Sequence, residues 1–462
     1  MTSGRRLGTG IAAAALVVIA GTAAAFLAGS RRDVTTSSSE AYEAYRRGRE
    51  NELKLYHRDA AAAYADALSH DSGFLMATVR LAVLTLERDP AQARSLFRAA
   101  ARSRDGATDR EKRLYDIYEK QIVEKDRAAA EKLTEDYLRT YPKDPEGYHL
   151  RASQLMRRGE SKEALALFTR LIAVNPNYAI AYNTLGYHWM ERRDFARAED
   201  SLKRYRFLAP DQANPYDSLG ELYANIGRYE EAEENLNRAL ELKADFIPAI
   251  GHLGTVAVGK GDFASAAAHY RRAAELSDEI ELKTQFSVSE ALCQLEMGDQ
   301  AGAVARLDAL PAPPSEPKEK AEHVRFLVSL VRAVVVGTAP PELPPRDPSS
   351  KADGKDAALA VGLAGSIDEA RRGDIGAARA FAAAELPGYA QRQSPFGYYP
   401  YFSMLWIHLA DRLGTGGEAG EAGEILKVHL ERNPRFQPAL DAQARLRGET
   451  VARALQAPHR SP

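Results

Sequence analysis

Along the middle of the chain, apolar positions recur at helical spacing, break at a short polar pair, and then recur again. From Ala179 the stripe runs through Tyr182, Leu185, Gly186 and Trp189, stops at Arg193–Asp194, and resumes as Phe195, Ala198, Leu202 and Leu208 before Pro210 closes it. Each unit therefore predicts two helices joined by a tight turn. The stretch NTLGYHWMERRDFARAED at 183–200 returns thirty-four residues later as DSLGELYANIGRYEEAEE and, after the same interval, as GHLGTVAVGKGDFASAAA. A hairpin of this size cannot cover its own apolar face, so such units must stack on one another. Gly186 and Ala198 fall where a bulkier side chain would push two packed helix backbones apart.

The same frame places unit starts near Ala41, Phe74, Glu111, Pro145, Ala179, Ala213, Ile247 and Thr284, an array of about eight units over 41–310. Proline interrupts it. Residues 311–356 hold PAPPSEP, one apolar helix expected over 318–337, and a linker over 338–356 whose proline density opposes regular helix. Helical pairs resume over 357–456, with a turn at Gly373–Asp374, a unit from about Ser403 to Pro434 and a closing helix with a polar outer face, and 457–462 is a tail.

The spacing of Tyr182, Leu185, Gly186, Trp189, Ala198 and Pro210 resembles the tetratricopeptide repeat family, whose period is thirty-four. The resemblance implies an all-α, right-handed superhelical solenoid of antiparallel helix pairs, with first helices lining a concave groove. A second resemblance lies at the N-terminal end. SSEAYEAYRRGREN leading into DAAAAYADALSHDSGFLMATVRLAVL is similar to the repeat regions that follow the membrane helix of bacterial serine/threonine kinases and cyclases. The kinase glycine-rich loop, catalytic-loop and metal-binding motifs are missing from this sequence, so that resemblance implies a sensory or docking half alone.

Charge and composition narrow the function. With 62 basic against 64 acidic side chains the net charge is −2, and no overall field attracts a polyanion. A single cysteine, Cys293, excludes an intramolecular disulfide framework or a multi-thiolate metal site. After a short tail (1–10), residues 11–29 form a charge-free apolar run, followed by a linker over 30–40. Its length suits one transmembrane or signal-anchor helix, with a cleaved secretory signal as the competing reading. Arg5 and Arg6 favour a cytoplasmic tail, so the array is expected outside the cytoplasm.

Candidate chemistry is sparse. The run GTGGEAGEAG at 414–423 lacks a preceding strand and a following Gly-Lys-Ser/Thr, and reads as a turn and helix start. No histidine pair has metal-ligand spacing, no nucleophile motif appears, and Cys293 lies on an apolar face. The sequence thus implies no cofactor, no metal, no catalytic group, no nucleic acid and no small-molecule substrate. The segment PFGYYPYFSMLW offers Tyr398, Tyr399, Tyr401 and Trp406 either as packing between helices or as an aromatic contact site.

Counting along the first helices puts Tyr115, Glu119, His149, Ser153, Asn183, Tyr187, Asp217, Glu221, Gly251 and Thr255 on the inner face, a mixed and mildly acidic lining. That lining suits an extended segment with polar or basic side chains, held by Glu119, Asp217 and Glu221. The expected function is a membrane-tethered, non-catalytic scaffold binding a protein partner. The alternative is an accessory subunit that organises a separate enzyme or a bacterial envelope-assembly complex.

Overall fold

The computed structural model describes residues 33–86, 88–158, 160–312, 318–343, 355–391 and 401–449. The apolar run at 11–29 and the tyrosines Tyr398 and Tyr399 lie outside these residues. Among the described residues there are twenty-two α-helices and no strand, and no helix is long and apolar enough to cross a membrane. The Cα packing divides the chain into two units, 1–52 with 56–133, and 53–55 with 134–462, so the array expected over 41–310 divides in two.

The first unit contains α1 (Ser39–Leu53), α2 (His57–His70), α3 (Leu75–Thr85), α4 (Pro90–Ala100) and α5 (Asp109–Tyr118), and the division falls within α6 (Arg127–Thr140). Thr108 and Glu111 form a reciprocal capping box at the start of α5. Buried Glu111 also accepts from the backbone N–H and hydroxyl of Thr35, which joins the first described residues to the unit.

In the second unit the repeat is geometrically regular. The first helices α7 (Pro145–Arg157), α9 (Ala179–Glu191), α11 (Ala213–Asn225) and α13 (Ile247–Gly259) have 13 residues each. The second helices α8 (Ser161–Val174), α10 (Phe195–Leu208), α12 (Tyr229–Leu242) and α14 (Phe263–Leu276) have 14 residues each. Asp194 and Asp262 cap α10 and α14 by accepting from the amides of Arg197 and Ser265. The residue before the cap turns left-handed: Gly261 does so at φ +76°, a conformation that costs glycine little, and Arg193 adopts it at φ +58° despite its side chain.

The small residues sit at helix crossings. A Cβ on Gly186 would stand 2.4 Å from Leu202, and one on Gly220 2.5 Å from Leu236. Beyond α14 run α15 (Ile280–Glu296), α16 (Gln300–Asp308), α17 (Lys318–Val336), α18 (Lys355–Arg371), α19 (Ile375–Gln391), α20 (Tyr401–Thr415), α21 (Ala419–Arg432) and α22 (Gln437–Leu446). One apolar cluster extends from Ile250 to Ala442, so these helices share a core with the end of the repeats. The turn before α22 returns to the middle of the stack. Asn433 donates to Tyr229 Oη at 3.0 Å and to Ala224 O at 3.4 Å, and Arg435 pairs bidentately with Glu230.

Candidate partner-binding surface

The side chains expected on the inner face form bonds between successive first helices. Ser218 Oγ donates to Asn183 Oδ1 at 2.9 Å, Tyr187 Oη donates to Glu221 Oε2 at 2.6 Å, and His252 Nδ1 meets Asp217 Oδ1 at 2.8 Å. The sequence separations of these pairs are 34 or 35, one repeat each. The second imidazole nitrogen lies 3.5 Å from Glu221 Oε2, so His252 sits between two carboxylates.

This corrects the expectation of free acidic charge at Asp217 and Glu221. Both are buried, and their charge is met from within by His252, itself only 4 % exposed. Burial alone would favour the neutral ring. The two carboxylates outweigh it and raise the imidazole from its ordinary 6.5 to about 9. A ring charged at neutral pH, with both nitrogens facing carboxylates, has no lone pair with which to take a proton. Burial, together with Glu221, likewise pushes the Tyr187 phenol well above its usual range.

The other expected positions divide by exposure. His149 is exposed, Ser153 and Tyr187 are half-buried, and Asn183 and Thr255 are buried. Thr255 lies 3.4 Å from Tyr270 Oη, its hydroxyl turned toward the second helix of its own repeat. In the first unit, Tyr115 donates to Glu119 Oε1 at 2.7 Å where α5 widens into a π turn over Glu119–Val123.

Sequence reasoning missed His252. Its signal was a histidine one residue past the repeat equivalent of Asp217, beside Gly251, which had been assigned the inward position. It also missed Glu290, buried on α15 and paired with Arg271 at 2.8 Å and Arg306 at 2.6 Å.

Of the aromatic candidates, Trp406 is fully buried and stacks on Phe381 at 6.1 Å and against Tyr389 at 5.5 Å, which makes it core. Tyr401 opens α20. The glycine-rich run forms the end of α20, a turn, and the start of α21. Cys293 is buried, and among the described residues no group of three acidic, histidine or cysteine side chains could hold a metal ion.

Two family models, both described as tetratricopeptide repeat, match the chain, one over 149–213 and 253–317 and the other over 213–246. No curated protein sequence matches it. Solved structures similar to it include PilW, a widely conserved type IV pilus biogenesis factor, at 17% identity over 47% of this chain and 98% of that one, with a TM-score of 0.39. MamA from Desulfovibrio magneticus RS-1 is 25% identical over 37% of this chain and 96% of its own, with a TM-score of 0.31. Yeast Tom70 is 15% identical over 64% and 65%, with a TM-score of 0.43.

Proposed function

We propose that this chain, which carries tetratricopeptide repeats, is a non-catalytic scaffold that binds an extended segment of a protein partner along its first-helix face, and that its apolar segment at 11–29 tethers it to a membrane with the repeats outside the cytoplasm. The observation that carries this reading is the bonding of α9, α11 and α13 through Asn183–Ser218, Tyr187–Glu221 and Asp217–His252. Side chains already fixed by bonds lose little freedom when a ligand arrives.

In this reading His149, Ser153 and Tyr187 supply accessible contacts, while Asn183, Asp217, Glu221 and Thr255 hold the floor beneath them. Tyr115 and Glu119 would serve in the same way within the first unit. The charge placement at Arg5 and Arg6 supports the orientation.

Purification from membranes in mild detergent, followed by identification of co-purifying chains, tests the reading. A protein whose capture falls on replacing His149, Ser153 and Tyr187 supports it, and capture indifferent to those changes rejects that face. A stable, fixed-ratio complex with an enzyme would assign the chain to an accessory-subunit role instead. Digestion of the repeats by protease added to intact cells supports the orientation, and digestion only after cells are opened rejects it.

A further inference from the structure

The chain enters the first unit with almost no spacer. Val34 is buried, Thr35 donates from its backbone N–H and its hydroxyl to Glu111 at 2.8 and 2.6 Å, and the Thr36 hydroxyl donates to Asp71. Ser38 Oγ accepts from the Ala41 amide at 3.0 Å as α1 begins. Of the linker expected over 30–40, only 30–32 then separates the apolar run at 11–29 from a docked segment.

The docking residues define one edge of this unit. Asp71 also accepts from the Gly73 amide at 3.0 Å, and a Cβ on Gly73 would stand 3.6 Å from Ser103 Oγ. Glu111 accepts from Thr108 as well as from Thr35. The segments that lead into α1, α3 and α5, at 33–38, 71–74 and 103–108, therefore lie together. Ser37, Ser72, Gly73, Gly106 and Thr108 are exposed there, and among these described residues no large apolar side chain is. The exposed charges are mixed in sign, with Arg102 against Asp33, Asp105 and Asp109.

We propose that this edge of the first unit rests against phospholipid headgroups, an inference that depends on the reading of 11–29 as a membrane tether. Whatever the conformation of 30–32, four residues of chain reach at most about 14 Å, so Asp33 stands no further than that from the end of the apolar run at Gly29. The headgroup layer takes up roughly 5–8 Å of that distance. The bonds to Glu111 and Asp71 keep 33–38 from unwinding into extra length. Short polar side chains tolerate hydrated headgroups and offer nothing to insert into hydrocarbon. Mixed charge gives no field toward anionic lipid, so covalent attachment is what brings the edge to the surface. A partner held at Glu119, ten residues past Asp109, would be gripped about 15 Å along the helix from this edge, close to the membrane.

The test reads the depth of fluorophores on the full chain, reconstituted in phosphatidylcholine vesicles that carry a nitroxide on the headgroup. Ser72→Cys, Asp105→Cys and, past the far end of α5, Glu124→Cys are labelled one at a time in a Cys293→Ala chain, all three sites being exposed or half-buried. The expected result is loss of fluorescence at 72 and 105 and little loss at 124, unchanged by added salt. A Gly-Ser insert of about twelve residues after Gly29, which adds roughly 20 Å of reach, should bring the loss at 72 down to that at 124. Thr35→Val/Thr36→Val should move it in the same direction, with the capping box of Thr108 and Glu111 left in place. Equal loss at all three sites, greatest loss at 124, or a loss at 72 that ignores the insert overturns the proposal. Flotation of the vesicles separates this inference from the reading beneath it. A chain that does not float has no tether, and the proposal falls with it, whereas a chain that floats with equal loss at all three sites keeps its tether and refutes the edge alone.

Discussion

His252 Nδ1 lies 2.8 Å from Asp217 Oδ1 across the boundary between two consecutive repeats, both side chains buried. Asp217→Asn removes one of the two carboxylates that hold the ring charged, and breaking a buried ion pair costs about 3–5 kcal/mol. The imidazole is raised in the folded chain from its ordinary 6.5 to about 9, so its contribution is fully present below pH 6.5 and is lost as pH climbs through about 9. Denaturant unfolding should therefore show the second unit losing on the order of 3 kcal/mol over that interval, a loss absent from His252→Gln. A stability difference between wild type and His252→Gln that stays constant from pH 6 to pH 9.5 would reject the charged ring.

A second expectation concerns the helix crossing at Gly220, where an added Cβ would stand 2.5 Å from Leu236 and 3.3 Å from Ala232 O. Gly220→Ala must displace packed atoms, and overpacking costs about 1–3 kcal/mol. Gly420 lies on α21 with nothing within 4 Å of such a Cβ. There the same substitution should be neutral or stabilise by up to about 1 kcal/mol through helix propensity. Gly220→Ala should melt below wild type and Gly420→Ala at or above it, and a Gly220→Ala melt no lower than wild type would count against close packing at Gly220.

Gly220 and Gly420 differ in a way that makes part of this fold legible in the sequence. A glycine forced by a close crossing recurs at a fixed interval, as Gly186, Gly220 and Gly254 do, and that recurrence marks helix pairs and their partners. Inward-facing positions follow from the same phase, so Asn183, Tyr187, Asp217 and Glu221 could be named. Their state could not. Whether Asp217 is a free charge depends on a histidine thirty-five residues away, and helical phase carries no information on such pairing across repeats. Trp406 failed as a contact candidate for a related reason: a dense aromatic segment looks the same whether its rings meet Phe381 and Tyr389 or a partner. The return of Asn433 to Ala224, with a separation of 209 residues, has no local signature at all.

That return contact has its own expected outcome. Asn433 is buried and ties the turn before α22 to Tyr229 Oη and Ala224 O, so Asn433→Ala removes both bonds and leaves buried groups unpaired, at a cost of about 1–3 kcal/mol. Arg435 and Glu230 beside it are exposed, and exposed pairs contribute little. Hydrogen exchange should accelerate together at 224–229 and 433–437 in Asn433→Ala and remain near wild type in Arg435→Ala. Acceleration at only one of the two segments would show that they do not open as a unit.

The last expectation uses the single thiol as a reporter. Cys293 is fully buried on α15, and burial, with Glu296 and Glu290 nearby, pushes its thiol well above the ordinary range. The nucleophile is the thiolate, so a buried and protonated sulfur should resist a maleimide or disulfide reagent in the native chain and react only when α15 opens. Labelling at neutral pH should therefore be slow, rise steeply with denaturant, and follow the unfolding of the second unit. Glu290→Gln provides the contrast: with the buried carboxylate between Arg271 and Arg306 neutralised, α15 loses both of its ion pairs to those arginines and labelling should accelerate at every denaturant concentration below the midpoint. Rapid stoichiometric labelling of the untreated wild-type chain would place Cys293 at the surface and contradict the packing of α15 against α14 and α17.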